Sequence, residues 1–209
     1  MKKIVFFGDS ITDAGRDRES DTSATALGSG YVLQIGKLLA ESSEYQVINR
    51  GISGNRVVDL YARVKCDLWN LAPDVIVIYI GVNDLWHELA IQNGVEIDRF
   101  EKVYRMLLED TKKRLPSAKL MMIAPYVLKG AATKDQWRLW DELKEYQAVV
   151  EKLANEYAIC FVPLQDAFDR AAAKDGAATY TLDGVHPVEE GAKLIANEWL
   201  KAFQNNIEK

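Results

Sequence analysis

The run "DVIVIYIG" (74–81) is the feature that most constrains what this chain can fold into. Its apolar residues follow one another without polar alternation, so a strand there buries both faces, as strands do inside a parallel sheet covered by helices. Four more segments read as strands: "IVFFG" (4–8), "YQVINRG" (45–51), "AKLMMIAPY" (118–126) and "CFVPL" (160–164). Stretches with helical spacing separate them. Val32, Ile35, Leu38 and Leu39 form one apolar stripe; Val57, Leu60, Tyr61, Val64 and Leu68 form a second; Phe100, Val103, Tyr104, Leu107 and Leu108 form a third. A long helix is expected over 135–158, and Pro187 suits the first turn of a last one. The alternation predicts a three-layer α/β/α fold on a five-stranded parallel sheet with right-handed crossovers. With 209 residues and no repeat or linker-like composition shift, a single domain spanning 1–209 is expected.

Ligands of such sheets bind beyond the carboxyl ends of the strands, so chemically useful residues should collect there. "GDS", "GISGN" and "GVND" each follow a strand segment, and "DGVHP" precedes the last helix. Ser10 is a nucleophile candidate on a tight strand-to-helix turn, but a serine hydroxyl needs a base to attack. The chain has two histidines. His186 follows Asp183 closely enough for the carboxylate to orient the imidazole, the arrangement of a Ser-His-Asp triad, while His87 after the third strand competes for the role. The Ser10 N–H, the Gly54 N–H and the Asn83 side-chain amide are candidate donors to an oxyanion. Gly54 suits that position because the absence of a Cβ lets a carbonyl oxygen approach the backbone. "GDSITDAG" has neither the G-x-G-x-x-G spacing of a dinucleotide site nor the Lys-Ser/Thr ending of a P-loop.

Four blocks in order, "FFGDSIT", "NRGISGN", "IGVNDLW" and "DGVHP", give the chain a resemblance to the SGNH hydrolases, also called GDSL esterases/lipases, from residue 4 to about 200. Ile11 stands where the family commonly has Leu. The stretches "GDSITDAGR" and "ALGSGYV" extend the likeness to the intracellular acetylxylan esterases of carbohydrate-degrading bacteria. The resemblance implies a flavodoxin-like architecture, an acyl-enzyme mechanism on Ser10, Asp183 and His186, an oxyanion hole of Ser10, Gly54 and Asn83, and a small acyl pocket with a sugar-lined mouth. It implies a small-molecule ester substrate, an acetylated sugar or xylo-oligosaccharide.

Other residues admit two readings. Asp9, Trp86, His87 and Tyr126 are candidates for the substrate pocket. Asp9 also reads as structural, holding loop backbone with its carboxylate, and Trp86 and His87 also read as loop packing. Asp13 and Asp84 are read as structural. Trp137 and Trp140 suit core or subunit packing, and the segment after the fourth strand suits a lid or a subunit contact, which leaves a homo-oligomer open. Rival functions are a broad lysophospholipase or thioesterase of the same family, and a non-catalytic flavodoxin-like binding module.

The composition narrows the partners. A formal net charge of −5 and a pI near 5.2 disfavour nucleic acid, which needs a basic footprint. No apolar run approaches the roughly 18 residues of a membrane span, and the apolar burst in "MKKIVFFGDS" is shorter than a secretory h-region, so a cytoplasmic location is expected. Cys66 and Cys160 sit in apolar patterns that imply no disulfide framework, and no metal-ligand spacing is present, so neither metal nor cofactor is expected.

Overall fold

The computed structural model describes residues 1–40 and 42–208. Five parallel strands, β1 (Lys2–Gly8), β2 (Tyr45–Gly51), β3 (Val75–Tyr79), β4 (Lys119–Ile123) and β5 (Cys160–Val162), lie in the order β2-β1-β3-β4-β5. Past the two lysines that open β1, the central strands are apolar because helices cover both faces. Ile4 to Phe7 of β1 and Ile76 to Ile78 of β3 are fully buried. The helices are α1 (Ser10–Asp13), α2 (Tyr31–Leu39), α3 (Val57–Asp67), α4 (Val82–Ile91), α5 (Ile97–Arg114), α6 (Leu143–Glu156), α7 (Gln165–Asp175) and α8 (Glu189–Asn206). Helix α2 packs on α8, α3 on α5, and α5 on α6, which gives the three-layer α/β/α arrangement. On the α2/α8 side, Trp199 and Phe203 stack with ring centroids 4.6 Å apart and Trp199 leans on Phe6.

The strand order reverses between β1 and β3, and the crevice of a doubly wound sheet opens at such a switch point. Register decides what meets there. Gly8 at the end of β1 pairs with Gly51 of β2 and with Tyr79 of β3. Ser10, Gly54 and Asn83 therefore leave the sheet from one level, within a few residues of three adjacent strand ends.

Several element bounds differ from the sequence reading, each for a local reason. Strand β4 stops at Ile123, just ahead of Pro125, and β5 stops before Pro163, since proline cannot donate to a ladder. The helix expected over 135–158 begins only at Leu143; residues Leu139–Glu142 form a 3₁₀ turn that puts Trp140 edge-on against Trp86 at 5.8 Å. Helix α4 carries buried Asn83 and Asp84 in its first turn, which breaks the apolar stripe. Helix α7 buries only Ala167 and Phe168, so it lacks a readable stripe.

The end of β2 tolerates no side chain. A Cβ on Gly51 would stand 2.1 Å from the Asp13 amide nitrogen and 2.5 Å from the Thr12 carbonyl carbon, both backbone atoms of α1. The Gly51→Ala variant is expected to lose about 1–3 kcal/mol of stability through overpacking, read from its urea midpoint.

Candidate active site

The turn after β1 is built by Asp9. Its carboxylate accepts the Ile11 N–H at 2.9 Å and caps α1, which turns Ser10 out of the sheet. Asp9 is wholly buried, and burial pushes its carboxyl up to about 7. Its backbone-holding role is the structural reading of the sequence; it does not line an open pocket.

The Ser10 hydroxyl lies 3.0 Å from His186 Nε2, and His186 Nδ1 lies 2.8 Å from Asp183 Oδ2. The other carboxylate oxygen, Oδ1, accepts the Val185 and His186 N–H groups at 2.9 and 2.8 Å. Burial works against ionisation of Asp183, but the imidazole and these two amides outweigh it and bring the carboxyl down to about 2. The hydrogen bond to Asp183 in turn raises the His186 imidazole above its ordinary value, against the opposing effect of burial. With Asp183 ionised and accepting the Nδ1–H, Nε2 is free to accept the serine proton. Chemically, the line of groups can generate an alkoxide and stabilise the imidazolium that results.

The loop between β2 and α3 is held residue by residue. Ile52 N–H donates to Gly8 O at 3.0 Å, and Ser53 N–H to the Asp13 carboxylate at 3.0 Å. The Asn83 side-chain amide donates to Asn55 O at 3.0 Å, and Val57 N–H to Asp84 at 3.0 Å. Between these anchors Gly54 takes φ +80°, a left-handed conformation that favours glycine. Burial pushes the Asp84 carboxyl up to about 8. Asp13 and Asp84 are thus structural, as read, and both fix the loop that carries Gly54.

Arg63 was not singled out by sequence reasoning. Its guanidinium donates to Gly8 O at 2.9 Å, Arg50 O at 2.9 Å and Asn55 Oδ1 at 2.6 Å, and it lies over the Phe7 ring. One side chain therefore ties the ends of β1 and β2 to the residue that orients Asn83. Its place in the amphipathic α3, among apolar stripe residues, gave no signal.

Asp84 and His87 have the same spacing as Asp183 and His186. The Asp84 carboxylate, however, caps α3, and His87 stands beside Gly54, where a methyl group on the glycine would be 4.0 Å from His87 Cε1. Burial lowers the His87 imidazole from its ordinary value. Trp86 packs on the His186 ring with centroids 5.6 Å apart. Both residues thus flank the site. Tyr126 does not. It is fully buried, stacks on Phe168 at 3.6 Å and donates its hydroxyl to Val185 O at 2.9 Å. The pocket assignment of Tyr126 is corrected: burial makes it a support beneath the "DGVHP" turn. The segment after it has the same job, since Leu128 N–H bonds Gly184 O at 2.8 Å and Ala132 N–H bonds Asp183 O at 2.9 Å.

Comparison with known proteins identifies the family. Residues 6–194 match the GDSL-like lipase/acylhydrolase family. The chain belongs to this family. It is a carboxylic ester hydrolase of the SGNH/GDSL type. It is 35% identical over 208 residues to an acetylxylan esterase of Geobacillus stearothermophilus, covering 96% of this chain and 93% of that protein. A crystal structure of that esterase superposes with a TM-score of 0.84 at 32% identity, over 96% of this chain and 93% of that chain. A GDSL-like lipase of Parabacteroides merdae superposes with a TM-score of 0.93 at 39% identity, over 97% and 95% of the two chains. No helix among the described residues is long and apolar enough to cross a membrane.

Arg63 holds Asn55, whose carbonyl accepts the Asn83 amide, so its loss should displace Asn83 and the loop that carries Gly54. The Arg63→Ala variant is expected to lose about 10- to 100-fold in kcat with KM little changed, measured on an aryl acetate.

Proposed function

We propose that this hydrolase removes short acyl groups, acetyl above all, from sugars or xylo-oligosaccharides through an acyl-enzyme on Ser10. The observation that carries the reading is the continuous contact from Ser10 Oγ to His186 Nε2 and from Nδ1 to Asp183. His186 takes the serine proton as Oγ attacks the ester carbonyl. The oxyanion is held by the Ser10 and Gly54 N–H groups and the Asn83 amide. The imidazolium then protonates the departing alcohol, the acyl-serine forms, and His186 next takes a proton from water for deacylation. Asp183 stays ionised and keeps the tautomer fixed throughout.

Two observations favour a small acyl group on a sugar alcohol. Trp86 and His87 crowd the site beside the imidazole and Gly54. A relative that matches 96% of this chain is named an acetylxylan esterase. A long-chain lysophospholipase or thioesterase would need a deep apolar channel. The reading is of one domain acting in solution on imported small esters, in the cytoplasm.

The Ser10→Ala variant is expected to lose at least about 10⁴-fold in kcat on an aryl acetate; wild-type turnover would remove Ser10 as nucleophile. Across acetyl, butyryl, octanoyl and palmitoyl esters, kcat/KM should fall with chain length, and a maximum at palmitoyl would overturn the acetyl reading.

His186 must be neutral to act as base. Since Asp183 raises its pKa, kcat/KM should climb with pH through a midpoint above the ordinary imidazole value and level off once the ring is deprotonated. In Asp183→Asn that midpoint should move down, and kcat should drop by about 10⁴-fold because the tautomer is no longer fixed. An unchanged midpoint in the variant would count against the pairing.

A further inference from the structure

A groove of about 550 Å³ opens from Ser10 and His186, in the size range of small-molecule sites. One wall is the face of α2 that carries Leu33, Gln34 and Lys37; the other is the turn Pro187, Val188, Glu189 that enters α8. Gly54 and Asn83 do not line it.

Proton transfer decides which half of an ester the groove receives. The departing oxygen must lie within hydrogen-bond reach of His186 Nε2 to be protonated. The alcohol half therefore passes over the imidazole, and the chain directly after His186 is the groove wall. Its inner end is apolar at Ile11, Ala14 and Leu33, which suits the C–H face of a ring. Its outer end carries Gln34 and opposite charges on Lys37 and Glu189. That lining offers nothing continuous to a long alkyl chain, and it lacks the net positive charge that a phosphorylated alcohol would select.

We propose that the groove between α2 and the 187–189 turn is the subsite for the alcohol half of the ester, and that it takes neutral polyhydroxylated alcohols, with Gln34 and Lys37 on its recognition wall. The inference rests on the acyl-enzyme reading above. It has a consequence beyond hydrolysis: an alcohol seated in the groove competes with water for the acyl group. His186 takes the proton of that hydroxyl, the alcohol oxygen attacks the acetyl carbonyl, and the bond to Ser10 Oγ breaks. The proton returns to Oγ, leaving free serine and the acetate ester of the alcohol.

The test feeds wild-type enzyme an aryl acetate with xylobiose, 1-octanol or a phosphorylated sugar alcohol as acceptor. It measures the ratio of acetylated acceptor to free acetate. Both products come from one acyl-enzyme, so the ratio is independent of how fast that species forms. Xylobiose should be acetylated in preference to the other two acceptors. The Gln34→Trp variant, which fills the groove, should lower the xylobiose ratio by about tenfold. Gln34→Ala and Lys37→Ala, which keep the groove open and the helix intact, should lower it less. Lys144→Ala, an exposed side chain of α6 outside the groove lining, is the control for an unchanged ratio. Free acetate without acetylated xylobiose from wild type, preference for octanol or the phosphorylated acceptor, or an unchanged ratio in all three groove variants would overturn the subsite while leaving the hydrolase reading standing. Absence of any acetate release would instead overturn the acyl-enzyme reading, and the subsite with it.

Discussion

Everything at this site depends on a register. Gly8, Gly51 and Tyr79 pair side by side, so three consecutive parallel strands end at one height beside the switch point. A parallel ladder buried on both faces is hard to slip, because each central residue is already fitted between two helix layers. Short turns of a few residues from those three ends carry Ser10, Gly54 and Asn83, so the three start from neighbouring points on one edge of the sheet. Gly51 shows how closely the turns are packed, with α1 backbone lying where its side chain would be.

The carboxylates are divided by environment. Asp9 and Asp84 are buried, hold backbone N–H groups, and have carboxyls displaced upward by loss of water. Asp183 is only partly buried and accepts from an imidazole and two amides, which bring its carboxyl down. A carboxyl held ionised across the neutral range is the one suited to stabilising an imidazolium. Arg63 pairs with Asp67 at 2.8 Å and donates besides to two carbonyls at the strand ends and to the Asn55 amide oxygen, which ties the loop that carries Gly54 to the sheet.

Much of this was legible in the chain itself. Val75 to Tyr79 could be placed as a buried strand because no polar residue interrupts it, and "GDS" could be placed beyond a strand because a glycine and two polar residues end the run. The elements that escaped have weak signals. Helix α4 hides its periodicity behind buried Asn83 and Asp84, and α7 is mostly alanine and charge. Tyr126 was misassigned because its closeness in sequence to a strand end says nothing about which way its ring turns. In the structure the ring turns inward onto Phe168.

The sequence by itself determined the parallel sheet and the order of the polar blocks along the chain, because these follow from periodicity and residue chemistry. Spacing alone does not separate the two Asp-x-x-His pairs, Asp84 with His87 and Asp183 with His186; the choice of His186 rests on the block "DGVHP" and the resemblance it carries. The tertiary structure commits the Asp84 carboxylate to a helix end and brings the His186 imidazole, 176 residues along the chain from Ser10, to 3.0 Å from its hydroxyl. It also decided the groove along α2, because the surface between two elements distant in sequence exists only once the sheet has set the distance between them.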